Sequence, residues 1–92
     1  MAHARRKFVE LHIANKSDIA ASAIEFIGQL YGIEREVKEL LPEQRGHERR
    51  TRAAPIATAL HDWLIAQRTR VTNAGATAKA IDYSLNRWAA LV

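Results

Sequence analysis

The feature that most limits how this chain can fold is a long stripe of apolar residues at helical spacing between residues 18 and 41. The stripe consists of Ile19, Ala23, Phe26, Ile27, Leu30, Ile33, Val37 and Leu40. Residues three and four apart share one face of a helix, so this face must be buried against another element. Pro42 disfavours helical geometry at Leu41. We therefore predict a helix over residues 18–41, with Ser17 or Asp18 as its N-cap.

Helical spacing also dominates the rest of the chain, and alternating patterns typical of strands are absent. The predicted helices besides 18–41 cover about residues 2–12, 43–70 and 76–91. The apolar face of the first of these helices consists of Ala4, Phe8 and Leu11. The face of the 43–70 segment consists of Ile56, Leu60, Trp63, Leu64 and Val71, and that of the last helix of Ala78, Ile81, Leu85, Trp88 and Ala89. The polar stretch 43–52 is compatible with helix or loop. Pro55 is compatible with a helix that starts near Ala53 or with a kink in one long helix. Residues 72–75 are predicted to form a turn.

The expected architecture is a single all-α region spanning residues 1–92: a short N-terminal helix plus three longer amphipathic helices in an extended hairpin or bundle. The apolar stretch before Val92 has no C-cap signal, which suggests a chain that continues in a longer protein. Apolar surfaces exposed by such a boundary tend to be covered by association, so we expect a homo-oligomer. No apolar run approaches the ~20 residues of a membrane span, and we expect a cytoplasmic protein without membrane contact.

Two local patterns on the 18–41 helix have structural consequences. Gly28 and Gly32 lie four residues apart, a spacing that allows close approach of another helix but that also occurs when small residues are merely tolerated. Glu34 and Lys38 are spaced to form an ion pair on the outer face.

Residues that could carry chemistry are few. Each His lacks the helically spaced partner that a metal site needs, and the chain has no Cys. Asp18, Asp62 and Asp82 are interpreted as helix-start or solvent-facing residues. We expect no catalytic residues, no metal site and no cofactor in this chain.

Positive charge is the main functional signal. The chain has a formal net charge of +4, and Arg supplies most of its cations. Two clusters stand out: His3, Arg5, Arg6 and Lys7, and Arg45, Arg49, Arg50 and Arg52. Arg45, Arg49 and Arg52 would share one helical face, where like charges repel unless an anion or a carboxylate neutralises them. The clusters are candidates for contacts to DNA phosphates, and solvated surface is the alternative.

The order of several motifs resembles one known family. The segment Ala2-His3-Ala4-Arg5-Arg6-Lys7-Phe8 resembles the Trp-Ala-His-Ala-Arg-Arg-Lys-Phe signature of the insertion-sequence-sixty-six family of bacterial transposases. Further segments follow in the family's order: Leu30-Tyr31-Gly32-Ile33-Glu34, Ala54-Pro55, Trp63-Leu64, and the helix with Lys79, Ala80, Ile81, Tyr83, Leu85, Trp88 and Leu91. The resemblance covers essentially the whole chain.

This resemblance implies a parent enzyme of the DDE type with an RNase H-like fold, which cuts and joins DNA with three carboxylates and divalent metal, usually Mg²⁺. The family's catalytic acids fall outside residues 1–92, so the chain would be the helical region between the second and third acids and not catalytic by itself. Its cations would contact DNA within the parent or face the acidic centre of the parent's active site. The main rival interpretation is a structural module for helix packing and self-association. A helix-turn-helix repressor fits less well, because its helices should be short.

Overall fold

A computed structural model of the chain describes residues 2–15, 17–73 and 75–91. Within these ranges the chain forms helices and connecting turns without a strand, so the predicted all-α class is confirmed. The helices are α1 (Ala2–Asn15), α2 (Asp18–Val37), α3 (Pro42–Glu48), a π-helical segment (Arg49–Ala53), α4 (Ala54–Arg68), α5 (Ala76–Asn86) and α6 (Trp88–Leu91). Predictions that involve Met1, Lys16, Ala74 and Val92 fall outside the described residues.

Four helices close into a ring: α1 packs on α2, α2 on α4, α4 on α5, and α5 on α1. The α3 and π-helical segments extend α4 along the C-terminal half of α2, which gives an elongated body of 45 × 22 × 18 Å. The core between the four helices contains most of the largest fully buried side chains, namely Phe8, Ile27, Leu60, Leu64 and Ile81. Val37, at the C-terminal end of α2, is fully buried outside this cluster. Most residues of the predicted apolar faces are buried or half-buried, and Ala89 is an exception because it is exposed.

Several predicted helix ends differ from the observed ones. The α1 helix continues past His12 to Asn15. It is longer than α5, so the predicted short N-terminal helix is in fact one of the longer helices of the bundle. The α2 helix begins at the N-cap Ser17, whose hydroxyl accepts a hydrogen bond from the Ala20 N–H at 3.2 Å. It ends at Val37 and not at residue 41, because Leu41 is extended ahead of the proline.

The last predicted helix, 76–91, is interrupted at Arg87, whose backbone leaves helical geometry with φ −114° and ψ 18°. After this break, the Trp88 ring lies 4.9 Å from the His61 ring of α4, measured between ring centroids. The interruption therefore directs Trp88 onto α4, a contact that the helical periodicity alone does not predict.

Pro55 does not start a separate helix, because residues 42–68 form one continuous helical segment, which we call the rod. The helical turn just before the proline is a wider, π-helical one, in which the Ala54 N–H donates to the Arg49 carbonyl five residues back. Proline lacks an N–H and its ring clashes with the carbonyl four residues earlier, here that of Thr51. A π-helical turn accommodates this loss within a continuous helix.

Candidate nucleic-acid interface

The arginines of the π-helical segment face carboxylates of α2. Arg49 donates two hydrogen bonds to Glu34, from Nε to Oε1 and from Nη2 to Oε2, each 2.9 Å long. This bidentate contact lowers the pKa of Glu34 and raises that of Arg49. Glu34 was predicted to pair with Lys38, but the structure directs it to Arg49, fifteen residues further along the chain.

Arg52 bridges two carboxylates at once. It pairs with Glu36 of α2 and, at 3.1 Å, with Glu48 one turn earlier on its own rod. The hydrogen bonds that Arg52 donates to these two carboxylates, with Glu36 the larger cause, raise the pKa of Arg52. Arg49 and Arg52 therefore hold the rod onto α2, and the expected repulsion along one arginine face is relieved by acidic partners.

The other two arginines of this cluster lie differently. Arg50 is exposed and its guanidinium lies back along the rod over Gly46, where an added Cβ would be 3.2 Å from Nη1. It lines a cleft of about 720 Å³ between α2 and the rod, together with Tyr31 and Trp88. Arg45 is half-buried. The predicted cluster is thus divided into two arginines bound to glutamates and two that form no ion pair within the described residues.

The N-terminal cluster lies on α1. All four residues of this cluster are exposed, namely His3, Arg5, Arg6 and Lys7. The neighbouring apolar residues Ala4 and Phe8 are buried and form the opposite, core-facing side of the helix. Lys7 faces α5, where its Nζ lies 4.6 Å from the centre of the Tyr83 ring. The Arg87 guanidinium lies over the same ring at 4.0 Å, so Tyr83 holds two cations on this side of the bundle.

Arg5 and Arg6 face the opposite side and line a groove between α1 and α2, which we call the α1–α2 groove. Arg35 and Tyr31 of α2 line the same groove, and its floor includes Gly28. Sequence reasoning missed Arg35. A signal was present, since Arg35 lies seven residues after Gly28 and hence on the same face of α2.

The carboxylates of the described residues do not converge. They form no group of three with His or Cys that could hold a metal ion. Asp82, interpreted from the sequence as helix-start or solvent-facing, accepts hydrogen bonds of 2.8 and 3.2 Å from Arg68. Arg68 also donates to Asn73 at 3.0 Å, so this arginine fixes the turn between α4 and α5. Asp82 thus has a structural role.

The geometry defines a small helical bundle whose α1 surface presents cations that form no ion pair with the residues the structure describes, and comparison with known proteins places it in a family. The family model described as "Transposase IS66 family" matches residues 1–92, and the chain belongs to this family. No solved structure matches the chain. Within the described residues, no helix has the length and apolar character needed to cross a membrane.

The similar curated proteins come from Sinorhizobium fredii. The chain is 35% identical to "Uncharacterized protein y4jD" over 91 residues, covering 99% of this chain. It is 33% identical to "Uncharacterized protein y4hP" over 99 residues and to "Uncharacterized protein y4qI" over 90 residues, covering 95% and 98% of this chain. In each case the chain spans only 17% or 18% of the relative's length.

Proposed function

We propose that this chain is a helical scaffold segment of a DDE-type DNA transposase and that it contacts the DNA backbone during transposition without being catalytic itself. Family membership and the small share of each relative that the chain covers support a part of a longer enzyme. The catalytic acids and their Mg²⁺ would belong to the rest of that enzyme, which would act in the cytoplasm.

The observation that carries the DNA contact is the contrast between the two basic clusters. The exposed cations on α1 form no ion pair with a carboxylate of the described residues, whereas Arg49 and Arg52 are neutralised by glutamates. A guanidinium without a protein partner is available to a phosphate oxygen, for which its planar fork is well suited. We therefore assign DNA contact to His3, Arg5, Arg6 and Lys7, with Arg50 and Arg45 as further cations, and an internal structural role to Arg49 and Arg52.

The second candidate function is a module for helix packing and self-association without nucleic-acid contact. The ion pairs of Arg49 and Arg52 favour it, because they show that arginines of this chain can serve packing alone. The two candidates predict different behaviour toward DNA.

The test is binding of the 92-residue chain to a duplex oligonucleotide over a salt series. The double variant Arg5→Gln/Arg6→Gln should bind more weakly, and the slope of log K against log salt should flatten by about 0.9 per lost phosphate contact. The matched double variant Arg49→Gln/Arg52→Gln removes the same charge from the paired sites. It should lower the thermal midpoint and affect DNA binding less. Absence of binding by the unmodified chain at low salt would favour the structural module.

A further inference from the structure

Arginines from two helices line the α1–α2 groove. Its volume is about 490 Å³, and the arginines are Arg5 and Arg6 of α1 and Arg35 of α2. Tyr31 lines its wall and is half-buried. Like charges that line one groove repel one another, and an anion bound there would relieve this repulsion.

Acidic residues near Arg35 do not neutralise this groove. Glu34 and Glu36 flank Arg35 in the sequence, but both bind the arginines of the π-helical segment. No carboxylate of the described residues lies within the 4.0 Å salt-bridge distance of the Arg5, Arg6 or Arg35 side chains. The contacts that hold the rod to α2 therefore also leave the groove with uncompensated positive charge.

Gly28 of α2 keeps part of the groove open. A Cβ added at Gly28 would meet no heavy atom within 4 Å, so no packed side chain occupies the space above it. A Cβ added at Gly32 would meet only Nη2 of Arg35, at 3.7 Å, which places this guanidinium along α2 next to the groove. Gly28 thus leaves room for a ligand in the groove, and no side chain of the described residues fills the space above it.

We propose that the α1–α2 groove binds one phosphodiester group of the DNA backbone through Arg5, Arg6 and Arg35. This inference rests on the proposed DNA contact and adds a specific position and a residue on a second helix. Arg35 completes the site because guanidinium groups from two directions can surround the two free phosphate oxygens. Phosphate recognition of this kind fixes the position of the DNA without reading its sequence.

The first test compares two variants that lose the same charge. Arg35→Gln should weaken binding to a duplex oligonucleotide by roughly threefold to tenfold more than Arg70→Gln, and only Arg35→Gln should flatten the salt dependence by about 0.9. Arg70 is exposed in the turn that follows the rod, outside the groove. Thermal melting should show that Arg35→Gln is at least as stable as the unmodified chain, because it relieves repulsion. Equal losses for the two variants would overturn the proposal.

The second test fills the groove without removing an arginine. Gly28→Glu should place a carboxylate in the groove that the three arginines line, raise the thermal midpoint relative to Gly28→Gln, and weaken DNA binding about tenfold more than the control Gln29→Glu. Gln29 is exposed on the same helix but does not line the groove. If Gly28→Glu and Gln29→Glu weaken binding equally, only net charge matters and the groove is not the site.

The two proposals fail in different ways. If Arg5→Gln/Arg6→Gln weakens DNA binding while Arg35→Gln and Gly28→Glu behave like their controls, the DNA contact stands and the groove inference is refuted. If the unmodified chain does not bind DNA at low salt, both proposals are refuted.

Discussion

Replacing Gly28 and Gly32 by Ala should stabilise the chain, because both glycines lie in the interior of α2 where they have no packing role. Gly costs about 0.8–1.0 kcal/mol relative to Ala in a helix interior. The added Cβ at Gly28 meets open space, and that at Gly32 meets only the end of the flexible Arg35 side chain. The double variant should therefore gain about 1.6–2.0 kcal/mol, since neither substitution carries a steric penalty.

The assay is thermal unfolding followed by far-ultraviolet circular dichroism, supported by urea denaturation. For a domain of 60–100 residues, each kcal/mol shifts the midpoint by about 4–8 °C, so the double variant should melt about 6–16 °C higher. Gly75→Ala is the matched control. Gly75 is the N-cap of α5, where Ala is disfavoured, and its Cβ would lie 3.2 Å from Thr72 Oγ1. The same chemical change should there lower the midpoint.

A lower midpoint for Gly28→Ala would refute this reasoning. It would mean that another helix lies against Gly28 in solution, as the alternative interpretation of the glycine spacing requires. Because no helix of the described chain lies there, the partner would have to be a second copy. Repeating the measurement at several protein concentrations would then separate a loss of association from a loss of folding.

Three further predictions concern the core, the ion pairs and the assembly. Phe8→Ala should lower the free energy of unfolding by about 3–5 kcal/mol in urea denaturation, because Phe8 is 1% exposed, whereas Ile13→Ala, at a residue 76% exposed, should change it by less than about 0.5 kcal/mol. The pKa of Glu34 is lowered by Arg49, so this pair stabilises the fold above the ordinary value of 4.5, and that contribution is lost as the pH falls through the lower folded value. Melting midpoints measured from pH 7 to pH 2 should therefore fall more steeply for the unmodified chain than for Arg49→Gln, and parallel curves would contradict the assignment. Self-association should make the mass measured by light scattering exceed that of one chain, and a monomer over a wide concentration range would count against it.

The helices and their core faces follow from the sequence because both depend on local geometry. Residues three and four apart must share a helical face, whatever packs against it, and Phe8, Ile27 and Leu64 are indeed buried. Helix ends were less predictable. The break at Arg87 is followed by the contact between the Trp88 and His61 rings, which depends on the packing of the chain end on α4.

The candidate site required more than the sequence. Residue types and motif order identified the basic clusters and the family, since charge and spacing are visible in one dimension. The partners of each arginine were not visible in the sequence. Arg49 meets Glu34 across fifteen residues because the rod packs along α2. The role of Arg35 was hidden for the same reason. Only the packing of α1 on α2 places Arg35 in the same groove as Arg5 and Arg6. The sequence determined that this protein is helical and cationic, and the tertiary structure decided which cations are neutralised and which remain available to an anion.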